Sequence, residues 1–140
     1  MNNKLKLVLD TNVFLVSLLP HHKYWWVFDG IIHNRFSILV SNDILTEYME
    51  KCIEKYGPSL INEKLDFLLD FSNVELVTPY FQWNLIEADP DDNKFVDCAI
   101  AGQADFIVTH DKHFNVLADV SFPKLNTIKL DQLQALITTP

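Results

Sequence analysis

Short blocks of consecutive apolar residues alternate along this chain with longer stretches in which apolar residues recur every three or four positions. The first pattern reads as strands buried on both faces, the second as helices that bury one side. Leu5 to Leu9 is such a block and ends at Asp10, so a strand opens the chain. Val13, Phe14, Leu15, Leu18 and Leu19 predict a short helix stopped by Pro20; Tyr24 to Ile32 predict another, closed by His33 and Asn34. Phe36 to Val40 is the second strand. Ser41 and Asn42 can cap a helix with apolar positions at Ile44, Leu45, Tyr48, Cys52 and Tyr56, which Gly57 and Pro58 end. Leu60 to Phe71 repeats the helical pattern, and Val74 to Thr78 makes a third strand before Pro79. A long connection runs through Trp83 to Asp91. Phe95, Val96, Ala99 and Ile100 then mark a helix, Phe106 to Thr109 a fourth strand, Thr127 to Leu130 a fifth, and a last helix starts near Asp131.

Strands that alternate with helices and are apolar on both faces imply a parallel sheet covered on both sides. With right-handed crossovers the expected fold is α/β, a three-layer sandwich around a central parallel sheet of about five strands. The length of 140 residues, 49% hydrophobic and 12% aromatic, supplies one core, so a single domain over 1–140 is expected. Three glycines and six prolines exclude collagen-like and low-complexity classes. Cys52 and Cys98 have no CxxC spacing and fall in apolar-periodic segments, which suits buried free thiols in a reducing cytoplasm. The opening apolar run is broken by Lys6 and Asp10 and lacks a small-residue cleavage site, and no long apolar span follows. Neither export nor membrane insertion is expected.

Eleven Lys and Arg against nineteen Asp and Glu give a net charge of −8, the opposite of the broad basic footprint that holds nucleic acid through its phosphates. An acidic surplus can also come from carboxylates gathered at a metal site, and position decides between the two. In an open doubly wound sheet the ligand crevice lies beyond the carboxyl ends of the strands where strand order reverses, usually beside the first strand. Asp10 ends that strand, and if the fourth strand lies across the reversal, Asp111 ends at the same crevice. The stripe of Phe95, Val96, Ala99 and Ile100 passes within about 10° of position 92, so Asp92 points inward, whereas Asp97 lies roughly 130° away. On the helix after the second strand Glu47 lies about 115° from the apolar centre, against about 135° for Glu54 and about 175° for Glu50, and so borders the core.

Singly, each aspartate is as well explained as a turn or helix cap; their joint placement at one crevice is the stronger signal. Carboxylates within about 4 Å repel by about 4 kcal/mol per pair at an effective dielectric of 20, so such a cluster calls for a cation. An all-oxygen donor set without a Cys or His pattern suits Mg²⁺ or Mn²⁺, whose bound water can become a nucleophile toward a phosphodiester.

Three stretches, KLVLDTNVFL, SNDILTEYME and DPDDNKFVDCAIAGQADFIVTHDKHF, resemble PIN-domain motifs and run in family order across essentially the whole chain. The similarity is to bacterial PIN proteins that act as toxin components of toxin–antitoxin systems. The resemblance implies a PIN-like domain and a metal-dependent endoribonuclease leaving a 5′-phosphate, with RNA as substrate and an antitoxin protein as partner. It carries the acidic roles onto Asp10, Glu47, Asp92 and Asp111, with Asn12 and Thr109 as polar neighbours. Many family members place the third carboxylate in a stretch like DCAIA, which points to Asp97, while the distance to the last motif points to Asp92. Both stay in the expected metal-ligand set.

RNA would need local positive charge, for which Lys23, Arg35, Lys94 and Lys112 flank the crevice segments. Adjacent tryptophans in one helix cannot both face the core, so at least one of Trp25 and Trp26 is expected to be exposed or to meet a partner; a homodimer is compatible with the aromatic run, and the sequence fixes no stoichiometry. Histidines 21, 22, 33, 110 and 113 show no zinc spacing, and none is expected to be a ligand. Two rivals remain. An aspartyl-phosphate phosphatase or receiver also places Asp after its first strand, but Thr11 and Asn12 follow Asp10 without a second aspartate, and no lysine ends the fifth strand. A non-catalytic PIN-like binding module would keep the carboxylates without turnover.

Overall fold

The structure is a computed structural model that describes residues 4–138. Five parallel strands, β1 (Lys6–Leu9), β2 (Ser37–Val40), β3 (Val74–Leu76), β4 (Phe106–Val108) and β5 (Thr127–Ile128), form one sheet in the order β3-β2-β1-β4-β5. The chain builds outward from β1 to β3, then returns to lay β4 against the free side of β1, so strand order reverses between β1 and β4. Leu7, Val8 and Leu9 are all fully buried, which is why the central strand reads as an unbroken apolar run. β3 departs from that expectation. It is an edge strand, and Glu75 and Leu76 are exposed.

Helices α1 (Thr11–Val16), α2 (Trp25–Ile32), α3 (Asn42–Tyr56) and α4 (Pro58–Leu69) connect β1 to β2 and β2 to β3. Right-handed crossovers put these four on one face of the sheet and α5 (Asn93–Gly102), which packs on β1, β2 and β4, on the other. The helix α6 (Leu130–Thr138) follows β5. The result is the three-layer α/β sandwich with a five-stranded parallel sheet that the sequence pattern predicts.

Local sequence accounts for the boundaries. The Ser41 hydroxyl accepts the Ile44 N–H at 3.2 Å and starts α3; Gly57, at φ 85°, supplies the left-handed residue that breaks α3 from α4. The core runs through Phe14, Phe28, Phe36, Tyr48, Phe95 and Phe114. Two segments are not periodic. Residues 77–89 form an irregular strap, and Lys112–Asp119 is a 3₁₀ segment that apolar spacing does not predict. Trp25 and Trp26 are both half-buried against the core, with Trp25 stacked on Phe28 at 5.5 Å and the Lys64 ammonium over its ring, so each keeps part of its surface outside the core.

Candidate active site

β1 and β4 run side by side in register, Leu9 opposite Val108, so their carboxyl ends deliver Asp10 and Thr109 to one point. Asp10 is buried at the N-cap of α1. One carboxylate oxygen accepts the Thr11 N–H at 2.7 Å and the other accepts the Thr109 hydroxyl at 2.8 Å. The Thr109 oxygen in turn accepts the Asp111 N–H at 3.0 Å. A chain of hydrogen bonds thus runs from the Asp111 backbone through Thr109 to Asp10 and fixes both aspartates in relation to the sheet. Asp111 caps the 3₁₀ segment by accepting the His113 N–H at 2.9 Å.

Glu47 reaches the same end from α3. Its carboxylate accepts the Thr11 hydroxyl and the Lys94 ammonium, and Lys94 also donates to Asp91 at 3.0 Å. The next residue sets the angle of α3. The Tyr48 hydroxyl donates to the Leu9 carbonyl, one residue before Asp10, and its ring stacks on Phe14 with centroids 4.0 Å apart.

Asp92 arrives from the other face, closing the 3₁₀ turn Pro90–Asp92 at the N-cap of α5. The turn is held by Asn93, whose side chain accepts the Ile86 N–H and donates to the Ile86 carbonyl, both at 2.9 Å, and also donates to Pro90 at 3.2 Å. Asp92 Oδ2 is buried and makes no hydrogen bond among the described residues; His113 Nδ1 lies 3.5 Å away, in ion-pair contact only. Asp89, Asp92 and His113 each place one ligand atom within 4.8 Å of the others. Asp89 was not singled out from the sequence, and His113, which was not expected to be a ligand, stands in this group. Asp89 looks like part of an acidic loop, and His113 reaches Asp92 only because the 3₁₀ segment folds back beside α5.

The electrostatics follow from this crowding. Burial raises the Asp10 carboxyl above its ordinary value; the Thr109 and Thr11 hydrogen bonds oppose the rise, and repulsion from Asp111 and Glu47 adds to it. Asp92 is pushed up to about 6, first by burial and then by Asp89, Asp111 and Asp10. Lys94 is raised: burial works against its charge, but Glu47 and Asp91 outweigh it.

Asp10 is therefore within electrostatic reach of Glu47, Asp92 and Asp111, and Asp92 within reach of Asp111. Asp97 is not. It is buried on α5, accepts the Trp83 N–H at 3.0 Å, and its carboxyl is raised by burial, opposed only by that bond. The outward orientation read from helical periodicity is corrected here, because the strap lies over that flank of α5. Asn12 is exposed, and it lines with Asp10, Asp111, His110 and Tyr24 a cavity of about 340 Å³. The His110 Nε2 accepts the Leu130 N–H at 3.2 Å.

Of the expected cations only Lys94 meets the carboxylates. Arg35 lies 3.9 Å from Asp29 at the amino end of β2, remote from the strands' carboxyl ends; Lys23 covers the Tyr24 ring; Lys112 is exposed. Both cysteines are free and buried, and burial pushes the Cys98 thiol up to about 12. No helix among the described residues is long and apolar enough to cross a membrane.

Carboxylates converging at the carboxyl ends of β1 and β4, with α5 bringing a third aspartate, match a known domain. The PIN-domain family pattern matches residues 6–113, and the chain belongs to the PIN-domain family. Among relatives, an uncharacterised protein of Methanocaldococcus jannaschii, MJ1680, is 35% identical over 133 residues, covering 91% of this chain and 84% of that protein. Among solved structures, VapBC2 from Rickettsia felis bound to a DNA fragment from its promoter is similar at TM-score 0.61 and 18% identity, covering 89% of this chain and 98% of that one. The PIN domain endonuclease Utp24 is similar at TM-score 0.51 and 13% identity, covering 89% of this chain and 84% of that one.

Proposed function

We propose that this protein is a Mg²⁺- or Mn²⁺-dependent endoribonuclease, with Asp10, Asp92 and Asp111 as metal ligands and Glu47 completing the catalytic acidic set. The observation that carries the reading is Asp92, whose buried Oδ2 has no hydrogen-bond partner among the described residues while burial first, and then the neighbouring carboxylates, push its pKa to about 6. A buried carboxylate oxygen in that state is suited to a cation, and the carboxylates around it, with the His113 nitrogen 3.5 Å away, suit a divalent one. When bound, such an ion supplies a water of lowered pKa and neutralises charge developing on a phosphodiester.

The chain's own residues do the rest. Thr109 and Thr11 hold both oxygens of Asp10 and leave its remaining lone pairs free for the ion. Lys94 compensates Glu47 and steadies it beside Asp10. The cavity beside Asp10 and Asp111 gives the scissile phosphate a place to rest, with Asn12 as a polar contact. Asp97 is assigned to holding the strap and not to the ion. The likeness to toxin components supports the role of a toxin restrained by an antitoxin, and the two free buried thiols support action in the cytoplasm.

The test is cleavage of a panel of RNAs with Mg²⁺ or Mn²⁺, with EDTA and Asp10→Asn as controls. Cleavage that needs both the ion and Asp10 is the expected result. Activity that survives EDTA and the substitution overturns the proposal.

A further inference from the structure

Val77 to Ile86 contains no charged residue, in a chain with nineteen acids and eleven bases. This strap turns its rings outward. Tyr80 is 94% exposed and Phe81 63%, and Phe122, from the loop before β5, is 83% exposed. The Phe81 and Trp83 centroids are 4.7 Å apart and those of Trp83 and Phe122 6.3 Å, so the three rings make one continuous aromatic surface. Its backbone is fixed from beneath by Asp97, which accepts the Trp83 N–H, and by Asn93, which holds both backbone groups of Ile86. Rings presented to water on an anchored backbone mark a binding surface.

The surface is continuous with the carboxylate site. Lys94 and Asp43 line the recess under Phe81 and also the recess at Glu47. Its chemistry suits unpaired bases: aromatic faces for stacking, the exposed Gln82 and Asn84 amides for base edges, and no carboxylate between Val77 and Ile86. Duplex RNA hides its base faces and offers phosphates instead, which a chain of net charge −8 holds poorly. A single strand can be gripped by its bases, with exposed Lys124, two residues after Phe122, available for a phosphate. We infer that Phe81, Trp83 and Phe122 form a stacking platform for unpaired bases of single-stranded RNA, extending from the site of cleavage. The identity of the ligand rests on the ribonuclease reading above.

The experiment is fluorescence anisotropy with a labelled single-stranded RNA of about twelve nucleotides, spanning a typical stacking site. The protein is the full chain carrying Asp10→Asn, which on the proposed reading leaves the RNA intact. Phe81→Ala and Phe122→Ala are compared with the parent. Both rings are mostly in solvent, so circular dichroism is expected to be unchanged. Each substitution is expected to weaken binding by about tenfold. An abasic strand of the same length is expected to bind the parent as weakly as the intact strand binds a variant carrying both Phe81→Ala and Phe122→Ala. Equal binding by all variants overturns the platform. So does a parent dimer that the same substitutions convert to monomer without RNA, since the surface is then a subunit contact. The two readings fail separately: metal-dependent cleavage with unaltered binding removes the platform alone, and base-dependent binding without cleavage under any metal removes the ribonuclease alone.

Discussion

Asp92→Asn takes one negative charge from the most crowded point of the carboxylate group and leaves the shape of the side chain almost unchanged. The carboxyl is held at about 6 against an ordinary 3.8, chiefly by burial and then by Asp89, Asp111 and Asp10, and the side chain is 14% exposed. A displacement of that size is worth about 3 kcal/mol against ionisation at neutral pH, an upper bound because the neighbouring carboxylates relax together. Opposing it, the N-cap of α5 favours a carboxylate by about 0.3–1 kcal/mol. The net expectation is that metal-free Asp92→Asn is more stable than the parent by about 1–2 kcal/mol, a rise in Tm of roughly 3–8 °C for a domain of this size. The sign with pH follows from a raised carboxyl. Its stabilising contribution is complete below the unfolded value near 3.8 and is lost as pH rises through about 6, so the advantage of the variant is small near pH 4 and greatest above pH 7. Mn²⁺, which binds the folded state, is expected to raise the Tm of the parent and to raise that of the variant far less. Thermal scans across that pH range in EDTA and in Mn²⁺ measure both effects. A variant less stable than the parent at neutral pH in EDTA, or stabilised equally by Mn²⁺, refutes the reasoning.

Tyr48→Phe keeps the stack on Phe14 but leaves the buried Leu9 carbonyl without its donor, and is expected to cost about 1–2 kcal/mol in urea unfolding. Gly102→Ala places a Cβ 2.6 Å from Leu39 Cδ1 and 3.0 Å from Val77 Cγ2, where α5 crosses the sheet, and is expected to lower stability by about 1–3 kcal/mol in the same assay. Asp97→Asn can still accept the Trp83 N–H, so Mn²⁺ affinity by calorimetry is expected to be unaltered. A loss of about tenfold or more would make Asp97 part of the metal site.

The strands were legible because β1, β2 and β4 are buried on both faces and carry unbroken apolar runs. The three-residue β3 and two-residue β5 lie at the edges, where exposure dilutes the pattern, and both read longer in sequence than they are. Asp10 and Asp111 could be placed together from topology alone, since strand order reverses between β1 and β4. Glu47 was ambiguous, because at about 115° from the apolar centre its direction is set by Tyr48 binding Leu9 and not by its own periodicity. The burial of Asp97 was hidden by the strap, an aperiodic segment whose path depends on tertiary hydrogen bonds to Asn93 and Asp97. For Trp25 periodicity is incomplete for a related reason: it measures direction from one core, whereas α4 brings Lys64 over the ring from the side.

Side chains at the end of β1, in the turn before α5 and at the end of β4 are proposed to share one divalent ion. An anomalous difference map from a crystal soaked in Mn²⁺ locates that ion. A peak within coordination distance of Asp10, Asp92 and Asp111 is the expected result; a map with no peak there, or with its peak at Asp97, rules the shared site out.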